Sequence, residues 1–181
     1  LREKLRGSNL KFNLKTVSEK VVLGLLKALK SKKSFGIDGI TSEVLKIGSN
    51  VLVVPLTYIV NSSITTGKYP SLWKIAKVIA VHKKGDKKIL KNYRPVSLLA
   101  VAGMILEKVV ALQIEEFFEN NGLLGSFQFA FRRNKGTISE LLTLLDILLE
   151  AKEMKREIMI ILYDLSAAFD TVPHQILIEK L

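Results

Sequence analysis

Apolar residues first recur at helical spacing at Val21, Val22, Leu25, Leu26 and Leu29. That stripe predicts a helix capped by Thr16 or Ser18 and running to about Lys30. Residues 1–15 before it are basic and weakly patterned, and are expected to form a linker or frayed leader. Lys30 to Gly39 reads as a loop, in which Asp38 can close a turn through its side chain. Thr41 or Ser42 can cap the next helix, with Glu43 in its first turn. A further helix is expected from about Asn50 to Thr65, crossing Pro55, and Gly67 to Pro70 breaks it. Lys74 to His82 has the β-branched run of a strand. Lys83 to Lys88 is a charged turn with Gly85 at its tip, and Asn92 to Ser97 forms the return arm, confined by Pro95 to an edge. Long helices are predicted from Ser97 to about Asn121 and from Thr137 to about Lys152. Gln128 to Lys135 lies between them as a loop or short strand. Ile158 to Tyr163 is continuously apolar and reads as a buried strand with Asp164 at its end. Ser166 to Thr171 begins a turn or short helix, and Pro173 opens a last helix with His174 at its start. Helices and strands alternate without βαβ regularity, so the expected class is α+β.

Composition sharpens this picture. The chain has 181 residues and is 48% hydrophobic, with a mean hydropathy of +0.25. It opens on Leu1 and closes within an apolar run, so it is expected to be a fragment whose packing partners lie elsewhere. The strongly apolar stretch Val51 to Val60 is interrupted by Pro55 and too short to span a bilayer, so no transmembrane helix is expected. There is no cysteine, which excludes disulfides and cysteine-bound zinc within the chain. His82 and His174 alone are too few for a structural zinc site, and His82 reads as a surface residue of the turn. The net charge of +11 points to a polyanionic partner, a nucleic acid or an anionic membrane surface.

Two groups of residues could carry chemistry. A buried apolar strand that ends in a carboxylate is costly unless the carboxylate meets a cation or donors. Asp164 could therefore bind Mg²⁺, which takes oxygen ligands, or could simply cap the following turn. The pattern alone leaves both open. Arg94 offers a planar fork for phosphate oxygens. Lys83, Lys84, Lys87 and Lys88 read as a solvated tip. Arg132, Arg133 and Lys135 suit a nucleic-acid backbone, and Phe129 or Phe131 could stack on bases or enter the core.

The string Tyr163-Asp164-Leu165-Ser166-Ala167-Ala168-Phe169-Asp170 resembles the A motif of reverse transcriptases of non-LTR retrotransposons. Four upstream segments resemble that family in the same order. They are Gly36-Ile37-Asp38-Gly39, Gly67 to Lys74 with Pro70 and Trp73, His82 to Asp86 with Asn92 to Leu99, and Gln128 to Arg132. The resemblance covers about Lys33 to Leu181. It implies the fingers and the beginning of the palm of a right-hand polymerase: a leader and first helix in 1–32, fingers in 33–155 and the first palm motif in 156–181. It implies an RNA-directed DNA polymerase that uses an RNA template, a DNA primer or target and dNTPs, and that works in the nucleus at the time of reverse transcription. By resemblance, Asp164 binds both catalytic Mg²⁺ ions, the Leu165 carbonyl helps to hold one, and Phe169 lies under the sugar and excludes a 2′-hydroxyl. Asp170 is structural. Arg94 would meet the incoming triphosphate with help from Lys77 or Lys83, and Arg132, Arg133 and Lys135 would follow the template. The family's later paired aspartates are expected beyond Leu181, in the remainder of the same domain, so the chain alone is not expected to polymerise. Ala130 stands where the family has glycine, and a positive φ there would be strained. Two alternatives stay open: a non-enzymatic basic RNA- or DNA-binding remnant, and a group II intron maturase-like reverse transcriptase.

Overall fold

Four helices bury the apolar stripes that the sequence marks out. In the computed structural model, which describes residues 10–165, 168 and 171–180, α1 spans Glu19–Lys27, α2 Ser42–Ile47, α3 Ser49–Thr66 and α4 Val101–Asn120. Val22 and Leu26 of α1 meet Leu45, then Val53, Leu56 and Val60 of α3, then Val101, Ile105, Leu106 and Val109 of α4. The spacings are three and four residues, so each helix gives one face to the core. Burial of each such side chain stabilises by about 1.5–3 kcal/mol relative to exposure. Val21, which shares the predicted α1 stripe, is instead 42% exposed. Thr41 caps α2, its hydroxyl accepting from the Val44 N–H at 3.3 Å. Ser42, the other candidate cap, is buried and ties down the preceding loop: its Oγ donates to the Lys30 carbonyl at 2.8 Å and accepts from the Lys32 N–H at 2.9 Å.

A two-stranded antiparallel hairpin interrupts the helices. Strand β1, Lys77–His82, pairs with β2, Tyr93–Leu98, in a register that sets Val81 opposite Arg94 and Lys77 opposite Leu98. A single 3₁₀ turn, Ser71–Lys74, occupies the beginning of the expected strand. Ser97 pairs with Val78 in the ladder, so α4 begins four residues later than expected, at Val101, after an Ala100 cap that has no side-chain bond.

The leader is not frayed where it is described. Gln113 of α4 accepts from the Lys15 N–H at 2.8 Å and donates to the Lys15 carbonyl at 2.8 Å. Asn61 of α3 makes the same double contact with Val17, at 2.8 and 2.9 Å. Residues 15 and 17 of an extended chain point both backbone groups the same way, so two amides can hold them as a neighbouring strand would. Phe12 adds a ring contact with Phe117 at 5.2 Å.

The chain divides into two units after Gly125. The second holds α5, Thr137–Glu153, and α6, His174–Lys180. The Ser139 hydroxyl closes the start of α5 by accepting from the Gly136 N–H at 3.0 Å. α5 buries no residue: Ile138, Leu141 and Leu142 are all more than half exposed. The expected strand from Ile158 to Tyr163 is not formed. No described residue pairs with it, and Leu162 and Tyr163 are each 88% exposed. An apolar run becomes a strand only where a neighbour takes its N–H and C=O groups. His174 is the first residue of α6, and the Pro173 carbonyl accepts from the Leu177 N–H at 3.1 Å, which places Pro173 at the cap. Among the described residues no helix is long and apolar enough to cross a membrane.

Candidate nucleic-acid and nucleotide site

The hairpin tip concentrates positive charge on a braced frame. Between Lys83 and Arg94 the sequence carries five lysines and one arginine against a single carboxylate, Asp86. Gly85 turns the chain with φ 84°, a conformation a side chain would strain. Asn92 locks the loop from inside: its carbonyl accepts from the Lys83 N–H at 2.8 Å, and its Nδ2 donates to the Asp86 carbonyl at 2.8 Å. The Asp86 carboxylate accepts from the Lys88 N–H at 2.9 Å, and the Tyr93 hydroxyl donates to the Lys87 carbonyl at 2.9 Å. His82, half-buried, lies edge-on to Tyr93 with its Nε2 3.0 Å from the Gly85 carbonyl oxygen. It is a brace of the turn.

The predicted nucleotide-binding cations share this hairpin but not one point on it. Directly opposed residues lie on one face of a ladder, so Arg94, opposite Val81, shares a face with Lys77 four pairs away. Lys83 lies just past the strand end, six residues from Lys77, about 20 Å at strand rise. Arg94 and Lys83 are therefore neighbours at the tip. Lys77 is remote from them, with its ammonium 5.0 Å from the centre of the Phe35 ring.

The remaining candidates belong to the second unit. Lys135 is engaged within its own loop: its Nζ donates to the Ser126 carbonyl at 3.0 Å and stands 5.0 Å from the Phe129 ring centre. Phe129 is half-buried in that contact, whereas Phe131 is 85% exposed. The positive φ falls not on Ala130 but on Phe131 and Asn134, both at 59°. Arg133 is exposed, and the Arg132 guanidinium reaches the Gln128 carbonyl at 3.5 Å. Asp164 is exposed and Leu165 is 77% exposed. Phe169 and Asp170 lie outside the described residues. Among the described residues no three His, Cys, Asp or Glu side chains gather as a metal site would require. Asp164 and the Leu165 carbonyl do not by themselves fit a Mg²⁺ ion, which demands six octahedral ligands.

The upstream segment Gly67 to Lys74 takes a structural role that the sequence did not disclose. Tyr69 and Trp73 meet edge to face, with centroids 6.2 Å apart, and lie against Gly103 of α4. The Tyr69 hydroxyl donates to Glu107 at 3.0 Å. Burial, then the bond to Glu107 and its negative charge, push the Tyr69 phenol up to about 12. The neutral phenol is favoured in the folded state. Its contribution is complete below pH 10 and is lost as pH rises towards 12. Denaturation followed across that window should show a loss of stability that Tyr69→Phe removes. Asn61, Gln113 and Asn92 were also missed, although the first two are amides set among apolar helix positions.

The chain belongs to the reverse transcriptase (RNA-dependent DNA polymerase) family, which its residues 81–181 match. It is 31% identical over 168 residues to the RNA-directed DNA polymerase from mobile element jockey of Drosophila melanogaster, covering 92% of this chain and 18% of that protein. It is 29% identical to the probable RNA-directed DNA polymerase from transposon BS of the same organism, with the same coverage. The identity is 28% to the probable RNA-directed DNA polymerase from transposon X-element, over 80% of this chain and 16% of the relative. The chain thus spans less than a fifth of the length of these curated relatives.

Proposed function

We propose that this chain supplies the fingers, residues 33–155, and the first palm segment, residues 156–181, of a non-LTR retrotransposon polymerase. The complete enzyme copies an RNA template: a DNA primer 3′-hydroxyl attacks the α-phosphorus of a dNTP, and pyrophosphate leaves. The observation that carries this reading is the braced cationic hairpin in a chain of reverse transcriptase ancestry. A rigid tip holds its charges ready, so little is lost in ordering them around a triphosphate. Arg94 with Lys83 is the pair assigned to that ligand. Lys77, a hairpin's length away, is withdrawn from the triphosphate. Arg132 and Arg133 follow the template, and Lys135 acts by stiffening their loop.

Asp164 and the Leu165 carbonyl are assigned as part of a Mg²⁺ site completed by carboxylates outside this chain. The metal supplies charge neutralisation of the reacting phosphate when bound. This chain's share is to orient the triphosphate through Arg94 and to present the sugar pocket through Phe169. The work is nuclear, at the time of reverse transcription.

Primer extension on an RNA template by the complete polymerase tests the reading. Arg94→Ala should raise the KM for dNTP by about tenfold or more, the scale of a lost charged hydrogen bond, while Lys87→Ala leaves it near the parent value. An unchanged KM in the Arg94 variant refutes that residue's role. A complete protein that extends no primer on RNA refutes the activity.

A further inference from the structure

We propose that a cleft beside Phe35 seats one unpaired nucleotide of a single strand, base inward and phosphate on a lysine rim. The proposal rests on the polymerase reading and adds a binding site to it. The cleft has a volume of about 600 Å³ and lies wholly in the first unit, between the end of α1, the loop that follows, the end of β2 and the start of α4. That volume falls within the roughly 300–1,000 Å³ of small-molecule sites.

Its chemistry is divided in the way a nucleotide is. Leu29, Phe35, Val96, Met104 and Ile105 make the interior apolar. Lys30, Lys32 and Lys108 line it as well, and the Lys77 ammonium stands 5.0 Å from the centre of the Phe35 ring. Glu107 is the one carboxylate in the lining, and it accepts from Tyr69. Four ammonium groups against one engaged carboxylate favour an anion at the mouth. An exposed aromatic ring with apolar neighbours favours a flat face behind it, because every base has a π-face and stacking tolerates any sequence. The cleft also gives Lys77 a role where the hairpin geometry removes it from the triphosphate. Ser42 fixes the cleft floor through its bonds to the Lys30 and Lys32 backbone, so the site exists before a strand arrives.

The test uses this chain labelled with ¹³C at its methionine methyls. Met104 lines the cleft, whereas Met154 and Met159 belong to the second unit. Titration with a short oligouridylate should move the Met104 methyl in a saturable way. The same strand without bases should bind more weakly and leave Met104 in place. The double variant K32E/K108E should keep the unliganded Met104 position, which shows an intact fold, and bind oligouridylate at least about tenfold more weakly. Its plot of log affinity against log salt should be shallower by about 0.7, from the loss of one phosphate contact. The proposal is overturned if the abasic strand moves Met104 equally. It is also overturned if oligouridylate binds while only Met154 or Met159 responds, which leaves the polymerase reading intact. Decanoate moving Met104 where oligouridylate does not would make the cleft an aliphatic-acid site. No binding of any strand would sink the nucleic-acid reading itself.

Discussion

Asp164→Ala in the complete polymerase is expected to reduce primer extension by at least about 10²–10³-fold, the loss that follows removal of one electrostatic group from a transition state. The residue stands exposed at the end of an apolar run, with Leu165 after it equally open. An exposed carboxylate there contributes little to folding, so its removal should leave the melting temperature of this chain within about a degree or two. That separation decides between the two readings of the residue. A carboxylate that merely caps the following turn would cost about 1 kcal/mol of stability and spare catalysis. Single-turnover extension rates, measured beside thermal melts, read both quantities. A variant that extends primers at the parental rate ends the assignment. Asp164→Asn is the sharper companion, because it keeps shape and one oxygen while removing the charge.

Gly36→Ala should destabilise the chain by about 3 kcal/mol, the upper end of the overpacking range. Gly36 is buried, and a Cβ there would lie 2.7 Å from the Ala100 nitrogen and 2.8 Å from the Leu99 carbonyl oxygen. These are backbone atoms at the junction of β2 and α4, and they cannot swing aside as a side chain could. Gly24 supplies the contrast. It lies within α1, and a Cβ added there meets nothing within 4 Å. Gly24→Ala should therefore stabilise by about 0.5–1 kcal/mol through helix propensity. Urea midpoints for the two variants should move in opposite directions. A neutral Gly36 variant would mean that the junction yields.

The helices and the hairpin were legible because each carries a local signal: a stripe at three- and four-residue spacing, a β-branched run, or a glycine at a tight turn. Ser97 misled because the same hydroxyl that can cap a helix can also sit in a ladder, and pairing with Val78 decided the matter. The run from Ile158 to Tyr163 declares a need for burial but not the partner that supplies it, so the expected strand is absent among the described residues. Cations were the least legible. Arg94, Lys77 and Lys135 carry the same sign in the sequence, yet one stands at a braced tip, one over Phe35 and one against Phe129. Charge count predicts a polyanion, but only placement distributes the work. The close approach that leaves Gly36 no room for a side chain, against Leu99 and Ala100, joins residues more than sixty positions apart and left no mark beyond the glycine itself.

The paired amides of Asn61 and Gln113 bear on how this segment can change over generations. They grip backbone at residues 15 and 17, so these bonds do not depend on which side chains stand there. The side chain of Lys15 is therefore free to drift while the path of the chain stays fixed, whereas Val17, packed against the helical core, must stay apolar. The exception is proline, which has no N–H to offer. Across descendants, variation should be wide at Lys15 and confined to apolar residues at Val17, proline should be missing from both, and the two amides should change far more slowly than Lys15.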